Sequence, residues 1–178
     1  MNQKTQKAKI KTKMKIILSE DSKNQKEIVE NHSKKLAKLG TELAKNQFSY
    51  KVEEKSDEKY WKKRFKEFED HNEKSLEYYN EIYLMMNQIN KEEAELFLLK
   101  ISKFRQIAIE LTNLITKIIE NPSIIKSKDT QQSQWSKETK KEIKSKLTVQ
   151  SDECLRFEKE INTTFREFYD KFIKDILD

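Results

Sequence analysis

The sequence predicts an all-α protein: a bundle of about four long antiparallel amphipathic helices, coiled-coil-like in packing, with a flexible basic N-terminal arm. Three observations predict it. The 178 residues include one glycine and one proline, and tight turns, hairpins and bulges draw on those two residue types, so a sheet-rich fold would be hard to build. Apolar residues recur at three-and-four spacing through most of the chain, the period of a helix face. The composition, 35% hydrophobic against 38% charged, suits slender helices with one apolar stripe each. The length fits one domain: residues 1–24 as the arm, 25–178 as the bundle.

The arm holds the net charge. Lys4, Lys7, Lys9, Lys11, Lys13 and Lys15 lie in residues 1–18 with no acid, which leaves 31 basic against 31 acidic residues in the rest of the chain. With few large apolar groups, residues 1–24 bury too little to offset the entropy of ordering, and disorder is expected. Ile10, Met14 and Ile17 fall at spacings of four and three, which would let the arm become helical against an anionic surface.

The first helix is expected over 25–47, with Ile28, Val29, His32, Leu36, Leu39 and Leu43 on one stripe. Gly40 lies inside it at a cost of about 1 kcal/mol relative to Ala. Residues 48–56 lose the pattern and read as a connection. The second helix, 57–89, has Ser56 or Asp57 as cap and a stripe of Trp61, Phe65, Phe68, Asn72, Leu76, Tyr79, Tyr83, Met86 and Ile89, a rod of roughly 45 Å. The third, 91–120, opens at Asn90 with Glu93 as capping-box partner and carries Phe97, Ile101, Phe104, Ala108, Leu111, Ile115 and Ile118. So short a connection implies an antiparallel hairpin, the alternative being one continuous rod. Pro122 stops this helix, residues 121–134 form a loop, and a last helix runs over 136–177 with Ile143, Leu147, Leu155, Ile161, Phe165, Phe168, Phe172 and Ile176. A weak patch at Thr148 to Asp152 would kink or split it.

Several function classes drop out. With Gly40 as the only glycine, no phosphate-cradling loop, dinucleotide fingerprint or nucleophile elbow can form. Val29 and Phe68 stand three residues before His32 and His71, where a di-iron bundle needs Glu. The two histidines read as polar members of the core edge, and Cys154, the single cysteine, as a buried thiol. No enzyme activity, metal or cofactor is expected. One cysteine allows no intramolecular disulfide, the apolar run Ile16 to Leu18 is too short for a secretory leader, and Lys100 and Lys103 interrupt the richest apolar stretch, Leu96 to Leu99 with Ile101. The expected location is intracellular, in the cytoplasm.

The remaining chemistry is that of surfaces. Trp61, Phe65, Phe68, Phe97, Phe104, Phe165, Phe168 and Phe172 are the candidate apolar interaction face, being either interdigitated core or a partly exposed binding stripe. The six arm lysines are the candidate contacts to an anionic surface.

The pattern over residues 60–175 resembles the phasins, small helical proteins that coat intracellular polyhydroxyalkanoate granules. The residues that carry the resemblance are Phe68, Asn72, Ser75 and Leu76 on one amphipathic helix, a second helix from Glu93 to Ile119, Asn121-Pro122 leading into the loop, Gln131 and Trp135, and a long closing helix behind a basic arm. The resemblance implies a non-catalytic coat protein that adsorbs to a hydrophobic granule through its apolar stripes, often as an oligomer. Its rivals are a helical scaffold or complex subunit that packs on a protein partner, and binding of an anionic membrane or nucleic acid through the arm.

Overall fold

The structure, a computed structural model, describes residues 3–53, 58–121 and 137–177; over 3–20 and 137–140 it gives the course of the backbone. Four long helices account for most of it: α1 (Gln3–Lys45), α2 (Glu58–Ile89), α3 (Lys91–Glu120) and α4 (Lys137–Phe168), which continues through a π-helical turn (Tyr169–Ile173) into a last short helix (Lys174–Leu177). There is no strand among the described residues. The cap position at Ser56 and Asp57, Pro122, and the loop with Gln131 and Trp135 lie outside the described residues.

Side-chain pairs fix the topology. His32 Nδ1 meets Glu81 Oε1 at 2.7 Å and His71 Nδ1 meets the Asn46 carbonyl at 3.0 Å, so α1 and α2 run antiparallel. Tyr79 stacks edge-on against Phe104 with centroids 5.7 Å apart, which closes α2 and α3 into the expected hairpin. The Lys171 ammonium donates to Glu93 and the Gln150 amide to Glu110, both at 3.1 Å, setting α4 antiparallel to α3. Lys26 donates to the Leu177 carbonyl at 3.1 Å, bringing the end of the chain back to α1. The result is an up-down-up-down four-helix bundle.

Local chemistry explains the breaks. Asn90 leaves the helical region at φ −149° and accepts the Glu93 amide on its side chain at 3.0 Å, stopping α2 and starting α3. Only the forward half of the predicted capping box forms, because the Asn90 backbone amide already donates to the Met86 carbonyl at 2.7 Å, and the Glu93 carboxylate pairs with Lys171 instead. The helix continues unbroken through Thr148 to Asp152, where Ser151 faces inward. The irregularity sits further on: the π turn, in which the Lys174 amide donates to the Tyr169 carbonyl, adds a residue to the turn. The core position after Phe168 therefore falls on Ile173, fully buried, while the predicted Phe172 and Ile176 are half-buried.

Packing varies by helix. Every predicted stripe residue of α3 is buried. On α2 the buried set widens to His71, Ser75, Ile82 and Met85, and Phe65, Asn72, Leu76, Tyr83 and Ile89 are half-buried, because α2 touches α1, α3 and α4. On α1, among the residues whose side chains are described, Val29 and Leu36 are buried, and its seam against α4 is thin. Residues 48–53 are a connection, as expected, but an ordered one. Phe48, Tyr50 and Val52 tuck against the core while Ser49 and Lys51 stay outside, the alternation of an extended chain. The Arg64 guanidinium lies 3.9 Å over the Phe48 ring and donates to the Ser49 carbonyl, pinning the segment.

Residues 3–24, expected as a disordered arm, form the first turns of α1. Lys, Gln, Met, Ile and Leu are all serviceable helix formers and no glycine or proline interrupts them. Residues 21–27 are exposed, and Lys26 makes the hydrogen bond to the Leu177 carbonyl.

Gly40 is helical without positive φ, and a Cβ there would meet Tyr78 Cε2 at 3.5 Å, an ordinary contact. Gly40→Ala is expected to stabilise the protein by about 0.5–1 kcal/mol through helix propensity alone, measured as a rise in the urea midpoint at unchanged slope.

Candidate functional site

The candidate apolar face turns inward. Trp61, Phe68, Phe97, Phe104 and Phe168 are buried in one core, and Phe65, Phe165 and Phe172 pack against it half-buried. The amphipathic stripes supply the folding energy of the bundle, so in this closed form they present little surface to a partner. The side chains of the six arm lysines lie outside the described residues.

The exposed large apolar residues are mostly aliphatic; Ile109, Val149 and Tyr169 stand apart from one group of leucines. Leu84 (49% exposed), Leu96 (55%), Leu98 (38%) and Leu99 (61%) stand out of the α2–α3 hairpin. Leu96 and Leu99 are one turn apart on one face. Five residues on from Tyr79 is Leu84 and five back from Phe104 is Leu99, so the Tyr79–Phe104 contact puts the four leucines at one level near the hairpin tip. Exposed leucines gathered at one level of a hairpin are candidates for an interaction surface. Lys100, Lys103 and Arg105 follow on the same helix, with no acid partner among the described residues. Of the nearby acids, Glu93 pairs with Lys171 and Glu95 with Lys91.

A second feature is a groove of about 610 Å³ along the thin α1–α4 seam. Small α1 residues, Ala37, Gly40, Thr41 and Ala44, form one wall, Phe165 and Tyr169 the other, with Tyr78 and Met85 at its base.

The third is a buried polar cluster. His71 donates toward the Asn46 carbonyl from Nδ1 (3.0 Å) and meets Glu158 Oε1 from Nε2 (2.6 Å), and the Tyr50 hydroxyl donates to the same oxygen at 2.8 Å. Ser75 Oγ lies 3.4 Å from His71 Nε2. In a nucleophilic triad the hydroxyl and the acid sit on opposite ring nitrogens. Here both crowd Nε2 and a backbone carbonyl occupies Nδ1, so no base is free to take the serine proton. The cluster ties the 46–53 segment to α2 and α4. His32, by contrast, hydrogen-bonds Glu81 across the α1–α2 contact, and Lys35 pairs with the same carboxylate at 3.7 Å.

Burial, then Glu158, hold the Tyr50 phenol far above its ordinary range, and burial lifts Tyr79 in the same way. Cys154 is fully buried, and burial followed by Glu158 pushes its thiol from 9.0 up to about 12. Such a thiol is a poor nucleophile at neutral pH. Because the folded-state values are raised, the neutral groups stabilise the fold below the unfolded values, and that contribution is lost as pH rises through the folded ones. Alkaline unfolding is therefore expected as pH climbs from 9 toward 12, with Cys154 inert to thiol reagents at pH 8 until denaturant is added; prompt labelling of the native protein would contradict the packing.

Among the described residues no group of three or more His, Cys, Asp or Glu could hold a metal ion, and no helix is long and apolar enough to cross a membrane. Sequence reasoning missed Glu158 and Tyr50. The signal was there: Glu158 stands four residues after Cys154 and three before Ile161, on the inward arc of α4. Fold and sites together define a closed four-helix bundle with one aliphatic end and one open seam. No protein-family model, curated protein or solved structure matches the chain.

Proposed function

We propose that this chain is a non-catalytic, intracellular binding protein that adsorbs to an apolar surface end-on, through the leucines of the α2–α3 hairpin. A coat role like that implied by the phasin resemblance is kept, but the contacting residues differ from the aromatic stripes. The supporting observation is the contrast in exposure: Leu84, Leu96, Leu98 and Leu99 stand out at one level while Phe68, Phe97 and Phe104 are buried. A second reading, a scaffold or subunit, draws on the α1–α4 groove, whose small-residue wall would admit a partner's helix.

The test is partition of the purified protein onto a triolein emulsion or suspended hydrophobic granules, insensitive to salt. Leu96→Asn with Leu99→Asn should lower partition at least tenfold. The change in stability should stay within about 0.5 kcal/mol, since both sites are exposed. Wild-type protein that stays in solution, or a double variant that partitions like wild type, would sink the proposal. Loss on Phe165→Asp alone would move docking to the groove.

A further inference from the structure

We infer that the apolar surface met by the leucine end is an anionic lipid membrane, an inference that rests on the adsorption proposed above. The leucines and the chain's net charge leave the bundle at the same end. Counting nine residues from the His32–Glu81 contact brings α1 back to Lys23 and α2 on to Asn90, so the hairpin tip is level with residue 23. The turns of α1 from there to Gln3 run on past the tip, about 30 Å of further helix. The segment 1–18 within them brings six lysines and no acid, whereas the rest of the chain is balanced at 31 against 31.

Such a segment is poorly suited to stand alone. Lys7 and Lys11, Lys9 and Lys13, and Lys11 and Lys15 are like charges four apart, which destabilise an isolated helix. Residues 21–27 are exposed, and the tertiary hydrogen bond from Lys26 to the Leu177 carbonyl does little to offset this. A polyanion relieves the repulsion, and the leucines beside it decide which polyanion. Exposed aliphatic side chains flanked by Lys100, Lys103 and Arg105 suit the boundary between headgroups and acyl chains. They offer nothing to phosphates, which are met by polar and charged groups and carry most of non-specific nucleic-acid binding. Glu92, Asp21, Glu27, Asp170 and Asp175 are exposed acids of this end, set against Lys23 and Lys174 beside them and Lys100, Lys103 and Arg105 on α3, so the surplus of positive charge comes from the six lysines of the arm.

The experiment is vesicle cosedimentation of the full chain on phosphatidylcholine with and without phosphatidylglycerol, beside the neutral triolein emulsion. Wild type should bind the anionic vesicles roughly 30-fold tighter than the neutral ones, with the difference abolished by high salt. Lys4→Gln, with the same change at Lys7, Lys9, Lys11, Lys13 and Lys15, should bring binding on anionic vesicles down to the neutral value while leaving triolein partition unchanged. Leu96→Asn with Leu99→Asn should weaken binding on all three surfaces. Equal binding to both vesicle types with triolein partition intact would overturn this inference and leave the adsorption proposal standing. Failure on triolein as well would remove both. Tighter binding to duplex DNA than to anionic vesicles, unaffected by the leucine changes, would assign the arm to nucleic acid and overturn the membrane.

Discussion

Phe104→Ala is expected to cost about 3–5 kcal/mol of folding stability. Phe104 is fully buried at the middle of α3 and its ring meets Tyr79 across the hairpin, so truncation leaves a cavity inside the core. The same truncation at an exposed surface would change stability by less than about 0.5 kcal/mol. Urea denaturation separates the two. A small effect would mean that the aromatic stripe of α3 faces solvent and that the inward packing is wrong.

His71→Ala should also be costly, by about 2–3 kcal/mol, because it leaves the half-buried Glu158 carboxylate with Tyr50 as its remaining partner and frees the Asn46 carbonyl. The loss has a second signature. Asn46 to Val52 are held partly by this cluster, so proteolysis within 46–53 should rise before the helices unfold. His71→Leu with Glu158→Leu removes the unpaired charge as well as the pair and should be less destabilising than the sum of the single changes. Strict additivity would show that the two side chains act independently.

The parts of this structure legible in the sequence are those set by periodicity. The α3 stripe, from Phe97 to Ile118, was read residue for residue, since one face of a regular helix meets the core throughout its length. The Asn90 break and the hairpin were legible because a side-chain cap is a local event. Where the period changed, the reading slipped. The π turn at Tyr169–Ile173 moved the core position from Phe172 to Ile173, and nothing in a 3.6-residue count announces a five-residue turn. Phe48, Tyr50 and Val52 alternate with period two, so a search for helical spacing saw an aperiodic connection where the chain is extended and packed.

The candidate site was less legible, for a physical reason. Amphipathicity shows which residues leave water, and it cannot distinguish a stripe buried in its own bundle from one buried in a partner. The eight aromatics were therefore equally good as core or as docking face. Leu96, Leu98 and Leu99 were visible as part of the richest apolar run. That they stand outside follows from Phe97 and Ile101 facing in, as the α3 stripe implies; how far they are exposed depends on the packing of α3 against α2 and α4. Glu158 and His71 are 87 residues apart, and their meeting depends on the α2–α4 diagonal, which no local spacing encodes.

Cys154 provides the most direct test of whether the protein works as a closed bundle. It is the only cysteine in the chain and is fully buried in the core that the stripes form. The decisive measurement is its rate of alkylation in protein bound to triolein or anionic vesicles. End-on adsorption through the leucines leaves the core shut, and Cys154 should remain as unreactive on the surface as in solution. Alkylation on the surface at the rate of the denatured chain would mean that the bundle opens and lays its aromatic stripes on the particle, and would contradict the account.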